Sequence, residues 1–236
     1  MCYNVFMQFT VITLFPEIIE SYLSISVLKR ARKKQLIRFR VFNIRDFTRD
    51  RHKTVDDAPY GGGAGMVFKI DPIVRAVESA LRKKKGKKSK VIILSAKGRQ
   101  FDQKMAVRFV KQHDHLILIS GRYEGIDERV KKILKADEVS IGPYVMTDGD
   151  VGVMAIISAV GRLIPGVIRL ESLTEESHWE GLMKSQANTK KILEYPHYTR
   201  PEIYVYKGKT YRVPKILLSG DHARIAEWRK KHITSP

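Results

Sequence analysis

The segment "GRLIPGVIRLESLTEESHWEGL", Gly161 to Leu182, sets Arg162 ahead of three carboxylates, Glu171, Glu175 and Glu176. A guanidinium stabilises an oxygen that gains negative charge, and a carboxylate takes a proton as a new bond forms. Taken alone, the segment reads more simply as a salt-bridged surface. A second set of residues surrounds three glycine-bearing stretches: "LSAKG" (Leu94–Gly98), "LISGRYEGIDER" (Leu118–Arg129) and "EVSIGPYVMTDGDVG" (Glu138–Gly152). Each follows a short apolar run, as a loop follows a buried strand. Ligands of open α/β sheets collect at the carboxyl ends of the strands. Gly121 lets a ligand approach the backbone beside Tyr123 and Glu124. Three such loops converging make a pocket, and its apolar lining and backbone amides suit an adenine ring.

A third stretch, "DDAPYGGGAGMV" (Asp56–Val67), invites a phosphate-loop reading and fails it. Met66 stands where the dinucleotide fingerprint needs glycine, and no Gly-Lys-Ser/Thr closes the run. "GKT" occurs at Gly208–Thr210, but Ile203 occupies the upstream glycine position. Glycines at this density imply positive φ angles or close approach to another chain. The seven histidines show no zinc spacing, and the His113/His115 alternation at a strand start is weak evidence for a ligand pair. No metal site is expected.

These residues need elements to hold them. Gln8–Phe15 alternates as a strand, and Pro16 opens a helix that runs out through "KRARKK". Ile37–Ile44 is a second strand, and a helix begins at Asp71. Val91–Ala96 is an apolar run and His115–Ser120 is another, as buried parallel strands should be. A helix spans Asp102–Gln112, a short strand Val139–Ile141, and a mostly buried helix Asp150–Ile164. The alternation predicts an α/β fold with a largely parallel sheet. Leu170–Tyr195 is polar and reads as a linker or hinge. In Pro196–Pro236 a hairpin-like "EIYVYKGKTYRVP" precedes a helix with Ile225 and Trp228 on one face; about 40 residues bury too little to fold alone.

The chain has 236 residues and a net charge of +19, from 44 Lys and Arg against 25 acids. Such a balance points to a polyanion, with nucleic acid the first candidate. "RKKKGKKSK" (Arg82–Lys90) reads either as a solvated connection or as phosphate contacts. No run is long enough to span a bilayer, and the first residues do not form a signal peptide. Met7 is a candidate start. With one cysteine, Cys2, the chain forms no internal disulfide, and the expected compartment is the cytoplasm.

"DDAPYGGGAGMV", "SGRYEGIDERV", "SIGPYVM", "RLIPGVI", "YPHYTRPEIY" and "VPKILLSGDHARIAEWR" follow one another in a single order. Together they resemble the bacterial tRNA (guanine-N1)-methyltransferases, over Met7 to Arg229. The resemblance implies a SPOUT-type α/β fold with a deep trefoil knot and a small, mainly helical C-terminal domain. It divides the chain into a catalytic domain over 1–169, a linker over 170–195 and a tRNA-binding domain over 196–236. It implies a homodimer with sites at the subunit interface, no membrane, and S-adenosylmethionine bent into the knot. The methyl group goes to N1 of guanine 37, beside the anticodon of tRNA, with magnesium assisting. By position the cofactor pocket is Leu94, Ser95, Gly121, Tyr123, Glu124, Ile141, Gly142, Pro143, Tyr144, Val145 and Met146. The catalytic pair is Arg162 and Glu176, and Asp57, Gly61, Gly62, Gly63, Met66, His197 and Arg200 meet the tRNA.

The chain departs from the family's pattern at four places. Glu176 stands where an aspartate is usual, with Glu175 in reserve as the base. "DGD" (Asp148–Asp150) stands where Gly-Gly-Glu is common, "SAK" replaces Ser-Pro-Gln, and "MKSQANTKKILE" lengthens the linker. One rival reading is an RNA-binding protein that has lost catalysis through the Glu176 change. Another is a methyltransferase of the same fold acting on a different RNA. Cofactor binding separates the first from an enzyme, and the "PHYTRP" match favours tRNA over the second.

Overall fold

A computed structural model describes residues 6–82, 88–168 and 195–232. The chain forms two compact units, Met1–Leu170 and Glu171–Pro236.

The first unit is built on β1 (Met7–Thr13), β2 (Ile37–Asn43), β5 (Ser89–Gln100), β6 (His115–Ile119) and β7 (Asp137–Ser140). They form one sheet in the order β2-β1-β6-β5-β7, every pair parallel. β1 and β6 lie inside this order and are buried along their whole length; β6 is apolar after His115, whereas β1 buries Gln8, Thr10 and Thr13 among its apolar residues. Helices α3 (Ile70–Leu81) and α5 (Glu128–Leu134) cover one face of the sheet. There Ile73, Ala76, Val77 and Ala80 pack on Ile12, Val91, Ile93, Ile117 and Ile119. On the other face α6 (Asp150–Gly161) touches β1, α1 (Pro16–Leu23) and α4 (Gln103–Gln112). Polar side chains buried in β1 pair with one another, as burial requires. Thr10 Oγ1 lies 2.9 Å from His115 Nε2, and Ser89 Oγ lies 3.1 Å from His115 Nδ1. His115 is thus a hydrogen-bonded core residue.

The expected helix from Pro16 through "KRARKK" is two helices, α1 and α2 (Ser26–Lys33). Ser24 ends the first by turning back on the Ser21 carbonyl, through its N–H at 3.2 Å and its hydroxyl at 2.8 Å. A serine hydroxyl competes with helix continuation in this way. "LSAKG" is not a loop after a strand. It lies inside β5, whose pairing with β7 slips between Leu94 and Arg99. Gly98 makes the slip possible, since a Cβ there would stand 2.5 Å from the Val139 nitrogen. The helix expected to reach Ile164 stops at Gly161 and gives way to tight turns at Leu163 and Ile164.

β3 (Asp56–Asp57) and β4 (Val67–Phe68) form a small antiparallel ribbon, so the glycine-rich stretch is the arch between its legs. The described part of the second unit holds a hairpin, β8 (Ile203–Tyr206) with β9 (Lys209–Arg212), a 3-10 turn Lys215–Leu218, and α7 (His222–Lys231). The hairpin turns at Lys207 and Gly208, both at positive φ, the pattern of a tight two-residue turn. Asp221 caps α7 by accepting from Arg224 N–H at 3.1 Å.

Candidate cofactor cavity

A cavity of about 390 Å³ opens at the carboxyl ends of the sheet. Three segments line it: the slipped part of β5, the loop after β6, and the loop after β7. The loop after β7 returns across the sheet ends. Gly149 N–H donates to Gly121 O at 2.8 Å, and a Cβ at Gly149 would come within 2.8 Å of the Gly121 nitrogen. Two backbones therefore touch where a side chain has no room.

Nine of the residues expected to hold the cofactor line this cavity: Leu94, Ser95, Gly121, Tyr123, Glu124, Ile141, Tyr144, Val145 and Met146. Gly142 and Pro143 do not. Gly142 gives room to the Tyr144 ring, which a Cβ there would overlap, and Pro143 is exposed. The lining also contains residues outside the expected pocket set, among them Lys97, Arg122, Asp127, Glu128, Thr147 and Asp148. Arg122 pairs with Asp148, at 3.2 Å and from the facing loop. Its guanidinium also lies over the Phe15 ring, 4.5 Å from the centroid.

The cavity is acid-rich in a chain that is otherwise strongly basic. Glu124, Asp127, Glu128, Glu138 and Asp148 line it against Lys97, Arg122 and Lys131. Several of these charges hold each other. Lys97 Nζ lies 2.8 Å from Glu128, which raises the lysine pKa and lowers that of the glutamate. The side-chain bond from Arg129 lowers Asp127 in the same way. Glu138 pairs with Lys97 and Lys131, and Asp148 with Arg122, so that among the described residues Glu124 is the lining acid with no ion pair. Burial, then a hydrogen bond with Asp56, raises the pKa of Tyr123.

Arg162 does not line the cavity. It caps the far end of α6, and the helix's twelve residues put about 18 Å between its two ends. Glu176 and Glu175 lie outside the described residues. Of the residues expected at tRNA, Gly61, Gly62 and Gly63 are exposed on the arch, beside a Tyr60 that is 98% exposed. Asp57 is exposed and pairs with Lys69 at 3.3 Å; the Ala58 N–H bonded to its carboxylate lowers its pKa. Met66 is half-buried, with its carbonyl accepting from Glu124 N–H at 3.0 Å. His197 and Arg200 are exposed in the second unit, where the His197 ring lies 4.6 Å from that of Tyr195.

Residues 7–235 match the model of the family described as tRNA (Guanine-1)-methyltransferase TrmD. The chain belongs to this family. The tRNA (guanine-N(1)-)-methyltransferase of Thermomicrobium roseum is 50% identical over 224 residues, covering 95% of this chain and 78% of that protein. The enzymes of the same name from Dictyoglomus turgidum and Carboxydothermus hydrogenoformans are 48% and 46% identical. These matches cover 95% of this chain and 84% and 82% of theirs. Membership of the tRNA (guanine-1)-methyltransferase family accounts for a cavity at the sheet ends of a cationic chain. Among the described residues no helix is long and apolar enough to cross a membrane.

Proposed function

We propose that this chain transfers a methyl group from S-adenosylmethionine to N1 of guanine 37 in tRNA, and so supports reading-frame maintenance. The observation that carries the reading is the acid-rich cavity at the ends of three parallel strands in a chain of net charge +19. A cavity of this size suits a compact cofactor. Its excess of carboxylates suits a ligand with a sulfonium and an ammonium group, while the basic remainder suits RNA. The return of Ile141–Gly149 across the ends of β5 and β6 supports a trefoil knot as the cofactor's cradle. The cytoplasm, where tRNA is found, is the proposed compartment.

When bound, S-adenosylmethionine supplies a methyl group already activated by its sulfonium, so no metal activation is needed. The protein's work is placement and proton removal. Guanine N1 carries a proton, which Glu176 takes as the nitrogen–carbon bond forms, with Glu175 in reserve. Arg162 stabilises the charge that gathers on O6. Because α6 holds Arg162 far from the cavity of its own chain, the reading includes a homodimer in which the partner's copy completes the site. Among the described residues no group of three or more His, Cys, Asp or Glu side chains is placed to hold a metal, and magnesium enters no step here. The second unit, with His197 and Arg200, and the arch, with Asp57 and Gly61–Gly63, are the proposed tRNA contacts.

The test is methyl transfer to two tRNA transcripts, with guanine or adenine at position 37. Only the first should accept a methyl group. Equal methylation of both overturns the N1-guanine assignment.

A further inference from the structure

The ribbon that carries the glycine-rich arch is built onto the loop that lines the cavity. Phe68 N–H donates to Gly125 O at 3.0 Å, Asp127 N–H donates to Phe68 O at 3.1 Å, and Glu124 N–H donates to Met66 O at 3.0 Å. The Phe68 ring meets that of Tyr123 edge-on, with centroids 5.3 Å apart. The backbone of residues 123–127 is therefore fixed by residues 66–68.

The glycines of the arch do not have the same task. Gly62 and Gly65 both lie at positive φ, +79° and +85°. A Cβ at Gly62 would meet nothing within 4 Å. A Cβ at Gly65 would stand 2.6 Å from both Cγ and Oε1 of Glu124 and 3.0 Å from its Cδ. The Glu124 side chain thus occupies the space that any other residue at position 65 would fill. Glu124 is also the one cavity acid that, among the described residues, no neighbouring cation pairs with.

We infer that Gly65 is a positioning residue for the methyl-donor cavity: the absence of a side chain there sets the direction of the Glu124 carboxylate. This rests on the donor reading above. The glycine content of the stretch then has two causes. Gly61–Gly63 serve the shape of an exposed arch. Gly65 serves the cavity, by leaving room for an acid that comes from a different loop.

The experiment is calorimetric titration of the full-length protein with S-adenosylmethionine, without tRNA, in a double-mutant cycle. Gly65→Ala should raise the dissociation constant roughly threefold, because the Glu124 side chain must swing away and the donor loses one partly exposed charge contact. Gly62→Ala carries the strain of positive φ without the contact and should bind the donor as wild type does. In a Glu124→Ala background, Gly65→Ala should add no further loss. In the methyl-transfer assay Gly65→Ala should raise the donor KM while kcat at saturating donor is retained. Wild-type affinity in Gly65→Ala, or an equal loss with and without Glu124, overturns the inference and leaves the donor reading standing. Absence of donor binding by the wild type overturns both. If Gly65→Ala does not fold, the Gly65→Ala/Glu124→Ala double variant should fold and bind the donor as Glu124→Ala does; its failure also overturns the inference.

Discussion

At Asp150 the fold places a carboxylate where little water reaches, with 2% of the residue exposed. Burial is the largest influence on it and raises its pKa, against the lowering effect of the Thr13 hydroxyl that donates to it at 2.7 Å. A raised value in the folded state means that the fold favours the protonated acid. That contribution is fully present below the ordinary value of 3.8 and is lost as pH rises through the raised one. Asp150→Asn removes the titration. Its stability relative to wild type should climb across this window, read from urea midpoints over a pH series; a difference independent of pH counts against the assignment. The catalytic pair is tested at the same scale. Glu176→Gln and Arg162→Ala should each lower methyl transfer by roughly 100-fold or more while donor binding persists. Full activity in Glu176→Gln overturns its role as base. At this scale the sequence made Tyr123 and Glu124 legible, because they sit beside Gly121. Arg122 and Asp148 were not, because their pairing crosses 26 residues of chain and depends on two loops meeting.

The loop after β7 and helix α6 form one element whose position depends on Gly149. Its N–H bonds Gly121 O, and an added methyl group would stand 2.8 Å from the Gly121 nitrogen and 3.1 Å from Leu94 Cβ. Backbone cannot step aside as a flexible side chain can. Gly149→Ala should cost about 1–3 kcal/mol of stability and weaken donor binding, since Gly121 and Leu94 line the cavity. Chemical denaturation and donor titration read the two effects; an unchanged unfolding midpoint shows that the contact does not constrain the fold. β1, β5 and β6 were legible as apolar or alternating runs because strands buried on both faces need such residues. The part of β5 beyond Ala96 reads as a loop in the sequence because its strand character comes from the pairing of Arg99 and Gln100 with β7, which lies about forty residues further on. The break between α1 and α2 was hidden for the opposite reason. It arises locally, where the turn at Ser24 leads into an extended Ile25 and a Ser26 at positive φ.

A chain of net charge +19 gathers more acids than bases around the cavity of its first unit. In the hairpin β8–β9 every residue of both strands is exposed, and Lys207 and Lys209 lie over the rings of Tyr206 and Tyr211. Phosphate contacts made by lysines release counterions, so they are read in the salt dependence of tRNA affinity. Replacing Lys207 and Lys209 together with Gln should weaken tRNA binding and flatten the log–log salt slope by about 1.4 to 1.8. An unchanged slope removes the hairpin from the tRNA contacts. By itself the sequence determined the α/β class, the polyanion partner and the family, because strand periodicity, net charge and ordered motifs are properties of the chain as written. It also determined most of the cavity, because strand-end glycines mark where a ligand reaches the backbone. Only the tertiary structure decided which cavity acids pair with which cations, that Arg162 stands a helix length from the cavity of its own chain, and that Gly65 gives its space to Glu124. Each of these is a contact or a distance between segments far apart in sequence, and the order of residues along a chain does not encode it locally.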